Sequence, residues 1–345
     1  MAIIIPKKKT GTGSNKTETH PEKPEINIHQ QAATTGINSL KYPIPFIDKI
    51  SIVVTPDKER GHAMYQELIT DLDQKLYFSD GPKPKGVYQF AKRIVLQTAT
   101  QLKHYPLIQF RYVKEQKLIE RFRLEFVPVD LGADGMDELN IVLGGLIDGG
   151  WGYVRKHGKV TRIDVSIDIP DVSMENFLLL SHQAISSRTW SMGGSLQTIV
   201  FGKKAGNQTI VYDRGAKRKA KKQSDEGKQG VRVERRLSKL PPLNVAELIK
   251  LENPFAKLTL LENLPSTPPP SAKSLPQKGQ WQMFCDSVQI RQLGNALALL
   301  SDEKRADFRK HIKQSAAPWW DPEAIWSNWE NVLEGMKFTG KLPGD

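Results

Sequence analysis

Two aspartates lie four residues apart in a segment that alternates strictly between apolar and polar side chains. From Thr161 to Ile169, isoleucines and valines alternate with Arg162, Asp164, Ser166 and Asp168. This period of two predicts a half-buried β-strand with the arginine and both aspartates on one face. Because aspartate is disfavoured in strands, the pattern indicates either a site for a divalent metal or a phosphate, or a salt-bridged surface strand.

Two further segments supply a tyrosine, a glutamate and more arginines. Gln208–Arg214 predicts a strand that carries Tyr212, and Gly230–Leu237 predicts a strand with Arg232, Glu234 and Arg236 on one face. Strands joined by short connections are usually neighbours in one antiparallel sheet. If the polar faces align, Asp164, Asp168 and Glu234 converge beside the tyrosine and offer the oxygen ligands that Mg²⁺ or Mn²⁺ prefers.

These side chains are suited to phosphodiester chemistry. A phenol with a pKa of about 10 is a weak nucleophile at neutral pH, and a nearby cation favours its ionised form. A metal ion polarises a phosphodiester oxygen, so attack by Tyr212 would leave a covalent phosphotyrosine and a free hydroxyl on the DNA. The alternative is that Tyr212 only packs in the sheet and that Glu234 only pairs with Arg162.

Positive charge is concentrated around this tyrosine. The formal net charge is +12, and residues 201–240 contain thirteen Lys or Arg against four acids. Such a region predicts a polyanionic partner, with nucleic acid as the first candidate, and a solvated mobile loop is the alternative. The basic residues expected to contact DNA are Arg162, Lys203, Lys204, Arg214, Lys217, Arg218, Arg232, Arg235 and Arg236.

Composition and periodicity predict an α+β protein of two related halves, each with an antiparallel sheet and helices, followed by a C-terminal helical segment. The expected organisation is a disordered basic tail over 1–40, halves over 41–150 and 151–263, a Pro-rich linker over 264–280 and a helical region over 281–345. Helices within the halves are predicted near 59–75, 137–147, 173–186 and 244–251.

A weak internal repeat relates the two halves. Lys49–Val54 resembles Asp164–Ile169, and Phe122–Glu125 resembles Val231–Glu234, at offsets of 115 and 109 residues. The first half carries Lys49 and Val53 where the second carries its two aspartates. If the repeat is real, the first half is a scaffold or a DNA clamp and the second half carries the chemistry; chance similarity between short strands is the alternative.

Several classes of site are excluded by composition. The single cysteine, Cys285, excludes a disulfide framework and a cysteine-built zinc site, which fits a reducing cytoplasm. No segment approaches eighteen apolar residues, so no membrane span is expected. The seven histidines include no His-hydrophobic-His pair, so a metal site would be built from carboxylates. Four tryptophans, at 319, 320, 326 and 329, either stack on bases or fix a terminal helix to a core.

Four segments, in this order, resemble the Rep-trans family of replication initiators from rolling-circle plasmids and phages, which is related to conjugative relaxases. The segments are Arg162–Asp168, Thr198–Lys203, Ile210–Gly215 and Val231–Leu237. The resemblance implies nicking of one strand of origin DNA by a tyrosine, a 5′-phosphotyrosine, a free 3′-hydroxyl primer and a carboxylate-held Mg²⁺ or Mn²⁺. At the matching positions, Tyr212 would be the nucleophile, and Asp164, Asp168 and Glu234 would be the metal ligands.

The resemblance also implies partners and leaves alternatives open. Origin DNA would be single-stranded or extruded as a hairpin in the bacterial cytoplasm, a host helicase would assist, and a homodimer is left open. Arg214 stands where the family usually has lysine, and the turn at Gly202–Asn207 lacks the family's serine. The alternatives are a conjugative relaxase of the same family and a non-catalytic DNA-binding replication or regulatory protein.

Overall fold

The fold is built on one antiparallel sheet of ten strands. The structure, a computed structural model, describes residues 42–71, 77–84, 86–98, 104–174, 178–181, 187–192, 195–220 and 230–340. The tail predicted over 1–40 lies outside these residues. The strands are β1 (Phe46–Val54), β2 (Phe78–Asp80), β3 (Phe90–Ile94), β4 (Leu107–Val113), β5 (Leu118–Phe126), β6 (Lys159–Ile169), β7 (Leu178–Ser181), β8 (Ser187–Met192), β9 (Ser195–Phe201), β10 (Gln208–Asp213), β11 (Val231–Leu237) and β12 (Leu258–Leu261). Ten of these strands form the large sheet, and β7 and β12 form a separate two-stranded sheet.

Helices follow the strands of each half and make up the C-terminal part. They are α1 (Lys58–Asp71), α2 (Pro128–Gly144), α3 (Gly150–His157), α4 (Arg214–Ala220), α5 (Leu275–Ala298), α6 (Asp302–Lys313), α7 (Pro322–Trp326) and α8 (Trp329–Gly335), with a 3₁₀ helix at Val245–Lys250. The α+β class is therefore confirmed, and no helix among the described residues is long and apolar enough to cross a membrane.

The strand order shows the internal repeat directly. The large sheet runs β2-β3-β4-β5-β1-β6-β11-β10-β9-β8, so the order reads the same outward from β1 and from β6. The strand register agrees with the offsets found in the sequence. In the first half Ser51 pairs with Glu125 and Val53 with Arg123, and in the second half Ser166 pairs with Glu234 and Asp168 with Arg232.

Three expectations about the elements need correction. The two halves share a single continuous sheet, because β1 pairs with β6, whereas each half was expected to have its own. The helix predicted over 173–186 is wrong where it is described, because Leu178–Ser181 is strand β7, paired with β12. Helix α5 begins at Leu275, inside the segment predicted as a linker.

The two faces of the sheet differ in chemistry because the strands alternate. Ile163, Val165 and Ile167 of β6 are fully buried in the main hydrophobic core, together with Trp151 and Val154 of α3. The opposite face carries Arg162, Asp164 and Asp168 of β6 and Arg232, Glu234 and Arg236 of β11. We call this second surface the polar face.

The C-terminal tryptophans fix their helices to the body of the protein. Trp320 and Trp329 are buried in the main core, and their indole nitrogens donate to the carbonyl oxygens of Leu258 and Leu248. Trp326 stacks on Trp329 with ring centroids 4.4 Å apart. Of the two alternatives for these tryptophans, the structure supports packing of a terminal helix on a core over stacking on bases.

Candidate functional site

Three cross-strand rows of side chains form the polar face around Tyr212. Residues directly opposite each other in an antiparallel pair lie on the same face of a sheet. Read from β10 through β11 to β6, the rows are Tyr212–Arg232–Asp168, Ile210–Glu234–Ser166 and Gln208–Arg236–Asp164. Tyr212, Glu234 and both aspartates therefore share one face, as the alternation in the sequence predicts.

The phenol of Tyr212 is held in a buried, cation-lined position. Only 5% of the residue is exposed. The Lys217 Nζ atom lies 3.6 Å from the ring centroid, and the Arg232 guanidinium carbon lies 6.0 Å from it. Burial raises the pKa of Tyr212, and although the Arg232 charge works against this rise, the nearby carboxylates add to it. The hydroxyl is therefore protonated at neutral pH.

Arg232 connects two carboxylates beside the tyrosine. Its guanidinium contacts both oxygens of Asp168, at 2.6 and 3.0 Å, and donates to Asp48 at 2.8 Å. Burial alone would lower the pKa of Arg232, but the Asp168 hydrogen bonds and the surrounding negative charges keep it raised. Asp48 was missed by sequence reasoning, because β1 has a bulge between Ile47 and Lys49 that interrupts its alternation.

The other two predicted acids also bond to arginines. Arg162 donates to both oxygens of Asp164, at 2.9 and 2.5 Å, whereas the sequence suggested a pair between Arg162 and Glu234. Arg236 donates to Glu234 at 2.9 Å and has its Nε atom 3.5 Å from Asp164. Burial raises the pKa of Glu234, and the charges of Asp164 and Asp48 raise it further.

The three predicted metal ligands do not meet at one point. Asp164 and Asp168 are separated by about 13 Å along β6 at about 3.3 Å per residue, and each bonds to arginine rather than facing a shared space. Within the described ranges, no group of three His, Cys, Asp or Glu side chains could hold a metal ion. The carboxylates as placed do not fit one common ion, and metal dependence stays a prediction.

The basic residues predicted to contact DNA fall into three groups. Lys203, Lys204 and Lys217 are exposed. Arg162, Arg214, Arg232 and Arg236 are on or beside the polar face and contact its carboxylates; Arg214, for example, lies 3.2 Å from Asp168. Arg235 is on the opposite face, buried and bonded to Thr209. The side chain of Arg218 lies outside the described residues.

Arg235 is separated from the others by the alternation of β11. It shares the parity of Val231, Val233 and Leu237, which face the core. Burial lowers the pKa of its guanidinium to about 10. The buried position of Arg235 does not suit the contact with DNA phosphates that its charge suggested.

Two comparisons with known proteins were informative only in finding no relative. A scan against protein-family models finds no match. A search of the curated proteins also finds none. The resemblance to the Rep-trans family therefore stays a prediction that rests on the four sequence segments.

Proposed function

We propose that this protein is a replication initiator that nicks one strand of origin DNA through Tyr212. The observation that carries the proposal is the cross-strand row Tyr212–Arg232–Asp168. It places a nucleophile-forming phenol beside a guanidinium that can contact a phosphate. Lys217 adds positive charge over the same ring and Arg214 contacts Asp168 in the same row, where a phosphodiester would have to enter.

The residues suggest a role for each group in the reaction. The Tyr212 oxygen attacks phosphorus, the bond between phosphorus and the 3′-oxygen breaks, and the departing 3′-oxygen takes up a proton. Glu234 is the best-suited base among the nearby carboxylates, because its raised pKa brings its basicity closer to neutral pH. Arg232 would stabilise the charge that develops on the phosphate in the transition state. The phosphotyrosine retains the energy for rejoining.

Whether the reaction needs a divalent metal is decided by the assay. A bound ion would polarise the phosphodiester, but the predicted ligands are held by arginines and are too far apart to share one ion. A DNA phosphate that bound one of these arginines would release its carboxylate, which would then be available to a metal ion. Adduct formation compared in Mn²⁺ and in EDTA decides whether the reaction needs the ion.

The test is covalent capture of DNA. The protein is incubated with labelled single-stranded origin DNA and resolved on a denaturing gel. The parent should give a slow band, and Tyr212→Phe should give none. Tyr112→Phe, which alters another tyrosine of the sheet, is the matched control and should behave as the parent. A Tyr212→Phe variant that nicks as well as the parent would refute the assignment.

A non-catalytic DNA-binding protein is the second candidate. The observation that favours it is that Tyr212 is buried and protonated while Asp164, Asp168 and Glu234 are all bonded to arginine. Under this candidate, DNA binding depends steeply on salt but no covalent product forms under any metal condition. The same gel therefore separates the two functions.

Under this proposal, the cellular setting is the one that the sequence resemblance implies. The DNA is an origin of a plasmid or phage in the bacterial cytoplasm, presented single-stranded or as a hairpin, and a host helicase would follow the nick. A conjugative relaxase would use the same residues on a transfer origin. Nicking tested on both kinds of origin DNA separates these two variants of the proposal.

A further inference from the structure

The internal repeat gives the Tyr212 site a counterpart in the first half of the chain. Arg123 pairs with Val53 as Arg232 pairs with Asp168, and Gln109 pairs with Arg123 as Tyr212 pairs with Arg232. The counterpart therefore keeps the arginine but replaces the tyrosine by glutamine and the aspartate by valine. It therefore lacks the tyrosine and the aspartate but keeps the arginine, the group to which phosphate contact is assigned in the proposed function.

The counterpart is on the same polar face as Tyr212. Ser51 of β1 is directly opposite Arg162 of β6, and the Arg123 Nε atom donates to the hydroxyl of Ser51 at 2.7 Å. Arg162 in turn bonds to Asp164. A continuous band of charged side chains therefore crosses the sheet from β5 to β11.

Positive charge in the counterpart is concentrated and incompletely neutralised. Arg121 is directly opposite Arg111 across β4 and β5, an arrangement of like charges that destabilises a sheet. The Arg121 Nε atom is shielded from water and has no acceptor among the described residues.

We propose that Arg121 and Arg123 bind a backbone phosphate of the same DNA that Tyr212 nicks. This inference rests on the proposed function for the identity of the ligand. A phosphate bound at the partly exposed Arg121 side chain would neutralise its charge and would relieve the repulsion between Arg121 and Arg111. The nearby Glu120 bonds to Arg111 and the nearby Glu125 bonds to Arg123, so both glutamates pair with arginines other than Arg121.

The separation of the two sites predicts the length of DNA that they span. β5 and β11 are three strand spacings apart in the sheet, which is about 14 Å. Val53 pairs with Lys159, so along β6 the two sites differ by the distance from Lys159 to Asp168, about 30 Å. The combined separation is about 33 Å, which is about ten base pairs at about 3.4 Å per base pair.

The experiment measures DNA binding with the chemistry removed. All proteins carry Tyr212→Phe, and the probe is a labelled duplex, which represents the stem of the extruded hairpin. Its anisotropy gives the affinity at a series of salt concentrations. For a duplex of about 25 base pairs, Arg121→Gln should lower the slope of log affinity against log salt by about 1, because one phosphate contact is lost. For a duplex of about 7 base pairs, too short to span both sites, the slope should not change.

Matched variants separate phosphate binding from damage to the fold. Arg121→Lys keeps the charge and should keep the slope, and the exposed Arg291→Gln of α5 should leave it unchanged on both duplexes. Arg123→Gln should act like Arg121→Gln, and if it fails to fold, the Arg121 variant alone decides. An unchanged slope on the long duplex, or an equal loss on both duplexes, would overturn the inference. Failure to form the Tyr212 adduct with normal slopes would instead count against nicking alone.

Discussion

Replacement of Arg232 should destabilise the protein, because this guanidinium is the shared partner of two carboxylates. The side chains of Arg232, Asp168 and Asp48 are 18%, 10% and 26% exposed, so the ion pairs are only partly screened by water. Breaking a buried pair from one side costs about 3–5 kcal/mol. Arg214 also contacts Asp168 and Asp48 is the more exposed acid, so Arg232→Met should cost about 2–3 kcal/mol.

A double-mutant cycle tests whether the loss comes from the pair itself. Asp168→Val copies the first half, where Val53 stands opposite Arg123. The double variant Arg232→Met, Asp168→Val should lose less than the sum of the single variants, with a coupling energy of about 1–3 kcal/mol. Urea unfolding at pH 7, followed by circular dichroism, supplies the free energies. A cost below about 0.5 kcal/mol for Arg232→Met, the range of an ordinary surface substitution, would refute this account of the pair.

Three further outcomes follow from the pKa shifts and from the two faces of the sheet. Because the pKa of Glu234 is raised in the folded protein, the folded state holds this proton more tightly than the unfolded state, and the parent loses stability as pH rises from the ordinary value of 4.5 through the folded pKa. Glu234→Gln should therefore gain stability relative to the parent between pH 4.5 and pH 7 in urea unfolding, and a constant difference would contradict this sign. Because Glu234 is the proposed base for the protonated Tyr212 phenol, the adduct rate should rise with pH through the raised pKa of Glu234 and then level off in stopped reactions; a rate that kept rising through alkaline pH would contradict the role given to Glu234. The free energy of unfolding of Arg235→Met should stay within about 1 kcal/mol of the parent value, as apolar replacements of buried charges often do. Its salt slope of DNA binding should equal that of the parent, whereas Arg214→Gln should lower the slope by about 1. Equal slopes for the two variants would contradict their assignment to different faces.

The elements with a clear period were predictable from the sequence. The alternation in β6 and β11 correctly assigned Asp164, Asp168 and Glu234 to one face, because strand geometry fixes that parity. The same rule, applied to β11, would have set Arg235 apart, since it alternates with Arg232, Glu234 and Arg236. Its selection by charge alone overlooked this parity.

Other features depend on partners that are distant in sequence. The apolar run at Leu178–Leu180 was read as helix, but it pairs with β12, and no local pattern reveals a strand partner so far along the chain. Asp48 approaches Tyr212 through Arg232 because β1 is bulged next to it. The arginine partner of each acid also depends on side-chain geometry, which alternation does not specify.

The most direct test of the proposed nicking reaction is to identify the residue that carries the DNA. The adduct formed with single-stranded origin DNA is digested with nuclease and trypsin, and the peptide from Ala205 to Arg214 is sequenced by mass spectrometry. The account predicts a nucleotide phosphate on the Tyr212 oxygen and none in the Tyr212→Phe protein. A nucleotide on Tyr105, Tyr112 or any other residue, or no covalent product under any metal condition, would contradict it.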